Sequence, residues 1–259
     1  MVHTDFPVER VLLTNDDGID APGLRVLEEA AASIAREVWT VAPVEDQSGK
    51  SHSLSLYSPI RVDRRAERRY AVAGTPGDCV AVALGRIMKD CAPDFVLSGI
   101  NCGANLGIET VFSGTVGAAM TSMLLAVPAI ALSQDFVDRN KVPWARAAEL
   151  APEIIRRLVS LRYPEPVCLS VNFPSEAVAQ VKALHAAHQG AGLLQGVEII
   201  SRSDPRDIEY HWLRLKHRPH GDAAEAESAL LGAGHVTVTP LRFERTAPDV
   251  LEYLRRVIA

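Results

Sequence analysis

Short apolar runs alternate with polar, glycine- and proline-bearing stretches through the first two thirds of the chain. Residues 10–14 read as a strand. Residues 22–35 read as a helix, with Pro22 at its start and Leu24, Leu27 and Ala31 on one face. A second strand over 38–42 ends at Pro43. Residues 54–73 form an excursion: Leu54 and Leu56 alternate with polar residues, an arginine-rich turn follows, and then Tyr70-Ala71-Val72-Ala73. The pattern continues as helix 76–89, strand 95–98, a Gly/Asn-rich loop 99–114, helix 115–125, strand 128–132, helix 143–161 and strand 167–171. Strands alternating with helices predict an α/β fold, a doubly wound, Rossmann-like and mostly parallel sheet.

Beyond residue 175 the periodicity loosens. Residues 206–217 and 235–239 read as extended arms and 247–258 as a closing helix. The expected organisation is a core over 1–175 and an appendage over 176–259, too short for its own core and used in self-association as a homodimer or homotetramer. A chain of 259 residues with 47% hydrophobic content can bury such a core. Its longest apolar stretch, 123–132, is too short to span a bilayer, and residues 1–9 carry no signal-peptide pattern.

A net charge of −5 offers no basic footprint, which argues against nucleic acid as a structural partner. The five arginines between Arg61 and Arg69 are interrupted by Asp63 and Glu67 and read as a solvated hairpin tip. Cys79, Cys91, Cys102 and Cys168 show no zinc-like spacing and read as reduced, mostly buried thiols of a cytoplasmic protein. Six of the eight histidines lie after residue 180 without ligand spacing.

The candidate chemistry gathers at strand ends. The first strand stops at Asn15-Asp16-Asp17-Gly18, where Gly18 permits a turn that lets two neighbouring carboxylates converge. Adjacent carboxylates repel unless a cation or a shared proton compensates them. Further polar loops follow at 42–53 and 99–107, and Ser113-Gly114-Thr115 opens a helix. Ligands of such sheets bind beyond the carboxyl ends of the strands. Two carboxylates, an amide oxygen and a hydroxyl make a hard oxygen set suited to magnesium or manganese. The start of the helix at 113–115 favours an anion through its free N–H groups and dipole, with Gly114 allowing close approach. A cation set facing a phosphate cradle implies phosphate-ester chemistry. There is no Gly-x-x-x-x-Gly-Lys-Ser/Thr loop, no dinucleotide fingerprint, no His-Glu-x-x-His and no Gly-x-Ser-x-Gly elbow around Ser48. Lys50 and His52 are as readily solvated loop residues as phosphate contacts. Thr75-Pro76-Gly77-Asp78 is accounted for as a helix cap.

Six segments together resemble the SurE survival-protein family of metal-dependent acid phosphatases and nucleotidases: 12–23 (LLTNDDGIDAPG), 41–49 (VAPVEDQSG), 74–80 (GTPGDCV), 97–107 (LSGINCGANLG), 113–119 (SGTVGAA) and 128–133 (PAIALS). They occur in family order over roughly residues 10–135. The resemblance implies Asp16, Asp17, Ser48 and Asn101 as ligands of one divalent cation per subunit, Mg2+ or Mn2+. It implies Asn105, Ser113, Gly114 and Thr115 as the phosphate-binding residues. It also implies a nucleoside monophosphate substrate hydrolysed by metal-activated water that Asp16 or Asp17 orients, with 5′-nucleotidase, 3′-nucleotidase and exopolyphosphatase activities in view. The rival readings are a non-catalytic nucleotide sensor and an aspartyl-phosphate enzyme with Asp16 as nucleophile, although Gly18 occupies the place of the acid the latter requires. Departures from the family pattern fall at 185–190, at 220–225 and at Thr121-Ser122.

Overall fold

The computed structural model describes residues 6–192, 194–217 and 223–258; residues 1–5 and the departure at His220-Gly221-Asp222 lie outside them. The chain begins with β1 (Val8–Thr14), α1 (Pro22–Ala32) and β2 (Ala35–Pro43), then the hairpin β3 (Arg61–Ala66) and β4 (Arg69–Ala73). It continues with α2 (Pro76–Val82), β5 (Phe95–Cys102), α3 (Gly114–Leu124), β6 (Ala129–Gln134), α4 (Trp144–Val159) and β7 (Cys168–Phe173). The last third holds β8 (Lys182–Ala186), β9 (Leu194–Ser203), β10 (Glu209–His217), α5 (Glu227–Gly232), β11 (His235–Leu241) and α6 (Pro248–Val257).

Leu12 and Leu13 show how the layers arise. Both are fully buried, and as strand neighbours they point to opposite faces. Leu13 joins Leu24, Leu27, Ile155 and Phe173 on the α1–α4 side, whereas Leu12 joins Val80, Val116 and Met120 on the α2–α3 side. Each contributes about 1.5–3 kcal/mol by leaving water. A strand apolar on both faces requires helices on both, which gives the doubly wound arrangement expected from the sequence.

The main sheet runs β3-β4-β2-β1-β5-β6-β7-β11-β8. Its pairs are parallel except β3–β4 and β7–β11. From β1 the chain first adds β2 on one side and later returns with β5 on the other. Strand order therefore reverses between β1 and β5, and the crevice for a ligand opens beyond their carboxyl ends.

Several expectations need correction. Helix 22–35 ends at Ala32, because the Ser33 hydroxyl and backbone N–H both turn back to the Ala30 carbonyl and Ala35 already pairs with Val8. Helix 76–89 is α-helical only to Val82. A wider π turn over Ala83–Ile87 follows, closed by the Met88 N–H on the Ala83 carbonyl, and Met88 is fully buried. The strand expected over 95–98 extends through Cys102 across a register shift between Ser98 and Asn101, which takes four residues from the expected loop. Residues 235–239 are no arm. They lie in β11, wedged between β7 and β8, with Val236, Thr237 and Thr239 buried. The projecting arm is the β9–β10 hairpin, which begins at Leu194, twelve residues before the expected start. Leu54 and Leu56 are exposed and lie in no strand.

β8 and β11, both beyond residue 175, pair into the main sheet, so that sheet draws on the expected appendage as well as on the expected core. The arginine-rich β3 is exposed along its length. Arg68 pairs with Glu37, and Arg69 with Glu28 and the Ile19 carbonyl. The four cysteines are free thiols; Cys79 and Cys168 are buried, whereas Cys91 and Cys102 are only partly so. Thr121 and Ser122 are buried, and their hydroxyls are satisfied by the carbonyls of Gly117 and Val127. No described helix is long and apolar enough to cross a membrane.

Candidate active site

At the end of β1 the chain turns through Gly18, whose φ of +103° suits glycine. The Asn15 side-chain amide closes this turn on the Gly18 carbonyl at 2.8 Å. The Asp16 carbonyl accepts the Gln47 N–H at 2.7 Å, and the Pro43 carbonyl accepts the Ile19 N–H at 2.7 Å. These two bonds lace the loop after β1 to the loop after β2. Within the second loop, Asp46 Oδ1 accepts the Ser48 N–H at 2.7 Å and holds the exposed Ser48 in place.

Asp16 is buried, and its Oδ1 accepts the Thr115 hydroxyl at 2.5 Å. Burial, reinforced by the charges of Asp17 and Asp46, raises its carboxyl to about 6 despite that hydrogen bond. Burial likewise raises Asp17, opposed by the Cys102 N–H, which donates to its Oδ2 at 3.1 Å. The two carboxylates therefore stand where ionisation is costly without a compensating cation. The Asn101 side chain donates its Nδ2 to the Gly103 carbonyl at 2.8 Å, which aims the amide with its Oδ1 as the remaining acceptor.

A cavity of about 560 Å³ opens here, lined by Asp16, Ser48, Asn101, Asn105 and Ser113 among others, with Asp17 tied to its wall through Cys102. Ser113 caps α3 by accepting the Val116 N–H on its hydroxyl at 3.1 Å. The first N–H groups of a helix have no partner within it, and no described group outside α3 takes those of Gly114 and Thr115. Five of the sequence-predicted residues thus line one cavity, whereas Asp17, Gly114 and Thr115 stand behind its wall, joined to it through Cys102, Ser113 and Asp16, with two differences of role. The Thr115 side chain is committed to Asp16, so only its backbone is available to an anion. The room beside Gly114 is filled by Asp16 itself: a β-carbon there would stand 2.6 Å from Asp16 Cβ. Asn105 is anchored too, its Nδ2 donating to the Ser133 hydroxyl and its N–H to Asn172 Oδ1.

Lys50 and His52 do not line this cavity; they line separate ones of about 610 and 460 Å³. Asp78 is fully engaged in the cap of α2, bonded to Thr75 and to both donors of Ser55. Sequence reasoning missed Asp46, Glu109, Asp135 and Arg139, which sit in or beside the site. Asp46 lies within the 41–49 segment. Asp135 and Arg139 follow yet another strand end, β6, and that position was their only signal. Among the described residues no group of three His, Cys, Asp or Glu could hold a metal ion. The donor set here is mixed, two carboxylates with an amide oxygen and a hydroxyl, which is the chemistry a hard cation takes.

A family model described as "Survival protein SurE" matches residues 11–195. The chain belongs to the SurE family. This SurE-family chain is 64% identical over 247 residues, 95% of each chain, to 5'-nucleotidase SurE 1 of Burkholderia lata. It is 41% identical over 245 residues to the 5'-nucleotidase SurE of Paramagnetospirillum magneticum, covering 95% of this chain and 94% of that one. The crystal structure of the SurE protein from Aquifex aeolicus matches with a TM-score of 0.81 at 31% identity, over 96% of this chain and 100% of that chain. The family resemblance and the α/β fold class expected from the sequence are thus both borne out for this SurE-family member.

Proposed function

We propose that this chain is a divalent-metal-dependent phosphomonoesterase of the cytoplasm that hydrolyses nucleoside monophosphates, a 5′-nucleotidase. One observation carries the reading: a buried Asp16 carboxylate, with Asp17, Ser48 and the Asn101 amide beside it, shares a cavity with the start of α3. The relatives named 5'-nucleotidase SurE support the reaction class. Asp16, Asp17, Ser48 and Asn101 would hold one Mg2+ or Mn2+ per subunit. Such a cation, when bound, supplies charge neutralisation at a phosphoryl oxygen and lowers the pKa of a water.

The chain's own groups do the rest. The N–H groups of Gly114 and Thr115 and the dipole of α3 receive phosphoryl oxygens as negative charge builds. Asn105 bounds the same pocket from a loop braced by Ser133 and Asn172. With one Asp17 oxygen held by the Cys102 N–H, the other would remain to orient the attacking water, a role that Asp16 or Asp17 would fill. Self-association as a homodimer or homotetramer belongs to the same reading. It is supported by the projecting β9–β10 hairpin and by the exposed Leu251, Tyr253, Leu254 and Val257 of α6. Sedimentation of the intact chain reads that state directly.

The deciding experiment is a metal-by-substrate panel on chelator-treated protein, spanning 5′- and 3′-monophosphates and polyphosphate. Turnover of 5′-monophosphates restored by Mg2+ or Mn2+ is the expected result. Undiminished turnover in chelator, or none with either cation, refutes the reading. Acid quench with labelled nucleotide is expected to leave no acid-stable label on Asp16.

A further inference from the structure

Among the described residues that line the Asp16 cavity, Arg139 is the single Lys or Arg. It faces a pocket otherwise rich in carboxylates, with Asp16, Glu109 and Asp135 on the wall and Asp17 adjoining it. A phosphate monoester is a second source of negative charge and needs more than helix N–H groups to enter such a place. The turn that carries Arg139 is well held. After β6 the chain closes a short 3-10 turn over Arg139–Lys141, where Asp138 Oδ1 accepts the Asn140 N–H at 2.9 Å. Glu176 Oε1, from beyond β7, accepts the N–H groups of Val137 at 3.1 Å and Asp138 at 3.3 Å.

The guanidinium itself makes no hydrogen bond and no ion pair with any described residue. Yet its charge reaches the site, where it opposes the effect of burial on both Asp17 and Cys102. Arg139 is exposed at the rim of the cavity, on a braced turn and without a partner among the described residues, so its guanidinium is available to a ligand that enters there. The planar fork of arginine matches two oxygens of a phosphoryl group.

We propose that Arg139 binds the phosphoryl group of the substrate and sets the affinity of the pocket for it. This rests on the nucleotidase reading and adds a residue to it that the strand-end motifs do not contain. The charge of Arg139 is offered equally to bound substrate and to released inorganic phosphate, so its loss weakens both in parallel while leaving the cation ligands intact.

The test compares full-length, Mn2+-loaded wild type with Arg139→Ala and Arg139→Lys, by steady-state hydrolysis of a nucleoside monophosphate and by calorimetric binding of inorganic phosphate. Arg139→Ala is expected to raise KM and to weaken phosphate binding together, each by roughly tenfold or more. Its kcat stays within about threefold, and the Mn2+ concentration for half-maximal rate does not rise. Arg139→Lys falls between the two, keeping the charge without the fork. Unchanged KM and phosphate affinity in Arg139→Ala would overturn the proposal, as would a loss confined to kcat. If the wild type turned over no nucleoside monophosphate, the nucleotidase reading would fail. The calorimetric comparison with inorganic phosphate would still decide the role of Arg139.

Discussion

Asp16 lies across the Cα of Gly114 so closely that a β-carbon at Gly114 would come within 2.6 Å of Asp16 Cβ and 2.7 Å of its Oδ2. The first turn of α3 and the end of β1 are thereby fitted to each other through a missing side chain, and the Thr115–Asp16 hydrogen bond closes the same contact. Gly114→Ala is favourable for an isolated helix by about 1 kcal/mol. Here it must push Asp16 away from Thr115. The expected variant keeps its far-UV circular dichroism and loses at least roughly a hundredfold in activity, since ligand displacements near 1 Å have that effect. Near-wild-type turnover would show that Asp16 can relocate without consequence.

The proposed cation ligands would separate by charge. Asp17→Asn removes an anionic ligand from a hard cation and is expected to abolish most metal-dependent turnover in limiting Mn2+ while the fold persists. Ser48→Ala and Asn101→Ala remove neutral oxygens, so each raises the half-maximal metal concentration by a smaller factor. Titration of rate against Mn2+ at saturating substrate distinguishes these effects from a change in KM. A rise in KM alone would reassign both residues to the phosphate.

Metal-free stability is expected to depend on pH through Asp16. Its carboxyl is raised from 3.8 to about 6, chiefly by burial. Because the folded value is the higher one, the folded state holds the proton more tightly. The contribution is complete below about pH 4, falls as the unfolded chain ionises, and levels off above about pH 6. Its full size is about 3 kcal/mol, an order-of-magnitude figure. Urea unfolding in chelator at pH 4 and pH 7, wild type against Asp16→Asn, isolates this step; parallel pH profiles would rule it out. Cation binding below pH 6 should also release a proton that the variant does not release.

Glu227 ties the last third of the chain to the site. It is fully buried, and its Oε1 accepts the Gly107 N–H at 2.5 Å, while Oε2 accepts the Thr239 hydroxyl at 2.6 Å. Gln189 adds a bond to the Gly107 carbonyl at 2.9 Å. The loop that carries Asn105 is thus held by residues more than eighty positions away in sequence. Glu227→Gln keeps the shape and removes the charge, so it should destabilise the protein by roughly 1–3 kcal/mol and reduce turnover. Glu227→Asp should recover part of the turnover if the carboxylate itself matters. Equal stability of Glu227→Gln and wild type in urea would show that the Glu227 charge does not hold this loop.

Local pattern was enough to read the alternating elements, the cap at Thr75–Asp78 and the polar strand ends, because each depends on neighbours within a few residues. The adjacent Asp16 and Asp17 after an apolar run, and Ser113-Gly114 opening a helix, were legible for the same reason. What the sequence could not decide required partners distant in the chain. β11 and the second half of β5 look like arm and loop until their neighbours in the sheet are known, since a short strand is stable only through its pairing. The roles of Gly114 and Thr115 toward Asp16, ninety-nine residues apart in the latter pair, follow from the packing of α3 against the end of β1. Arg139 and Glu227 reach the site only through the order of strands in the sheet. Sequence periodicity therefore determined which elements form and which polar residues stand at their ends, and tertiary packing decided which of those ends meet, because burial and hydrogen-bond pairing between distant segments are properties of the assembled sheet.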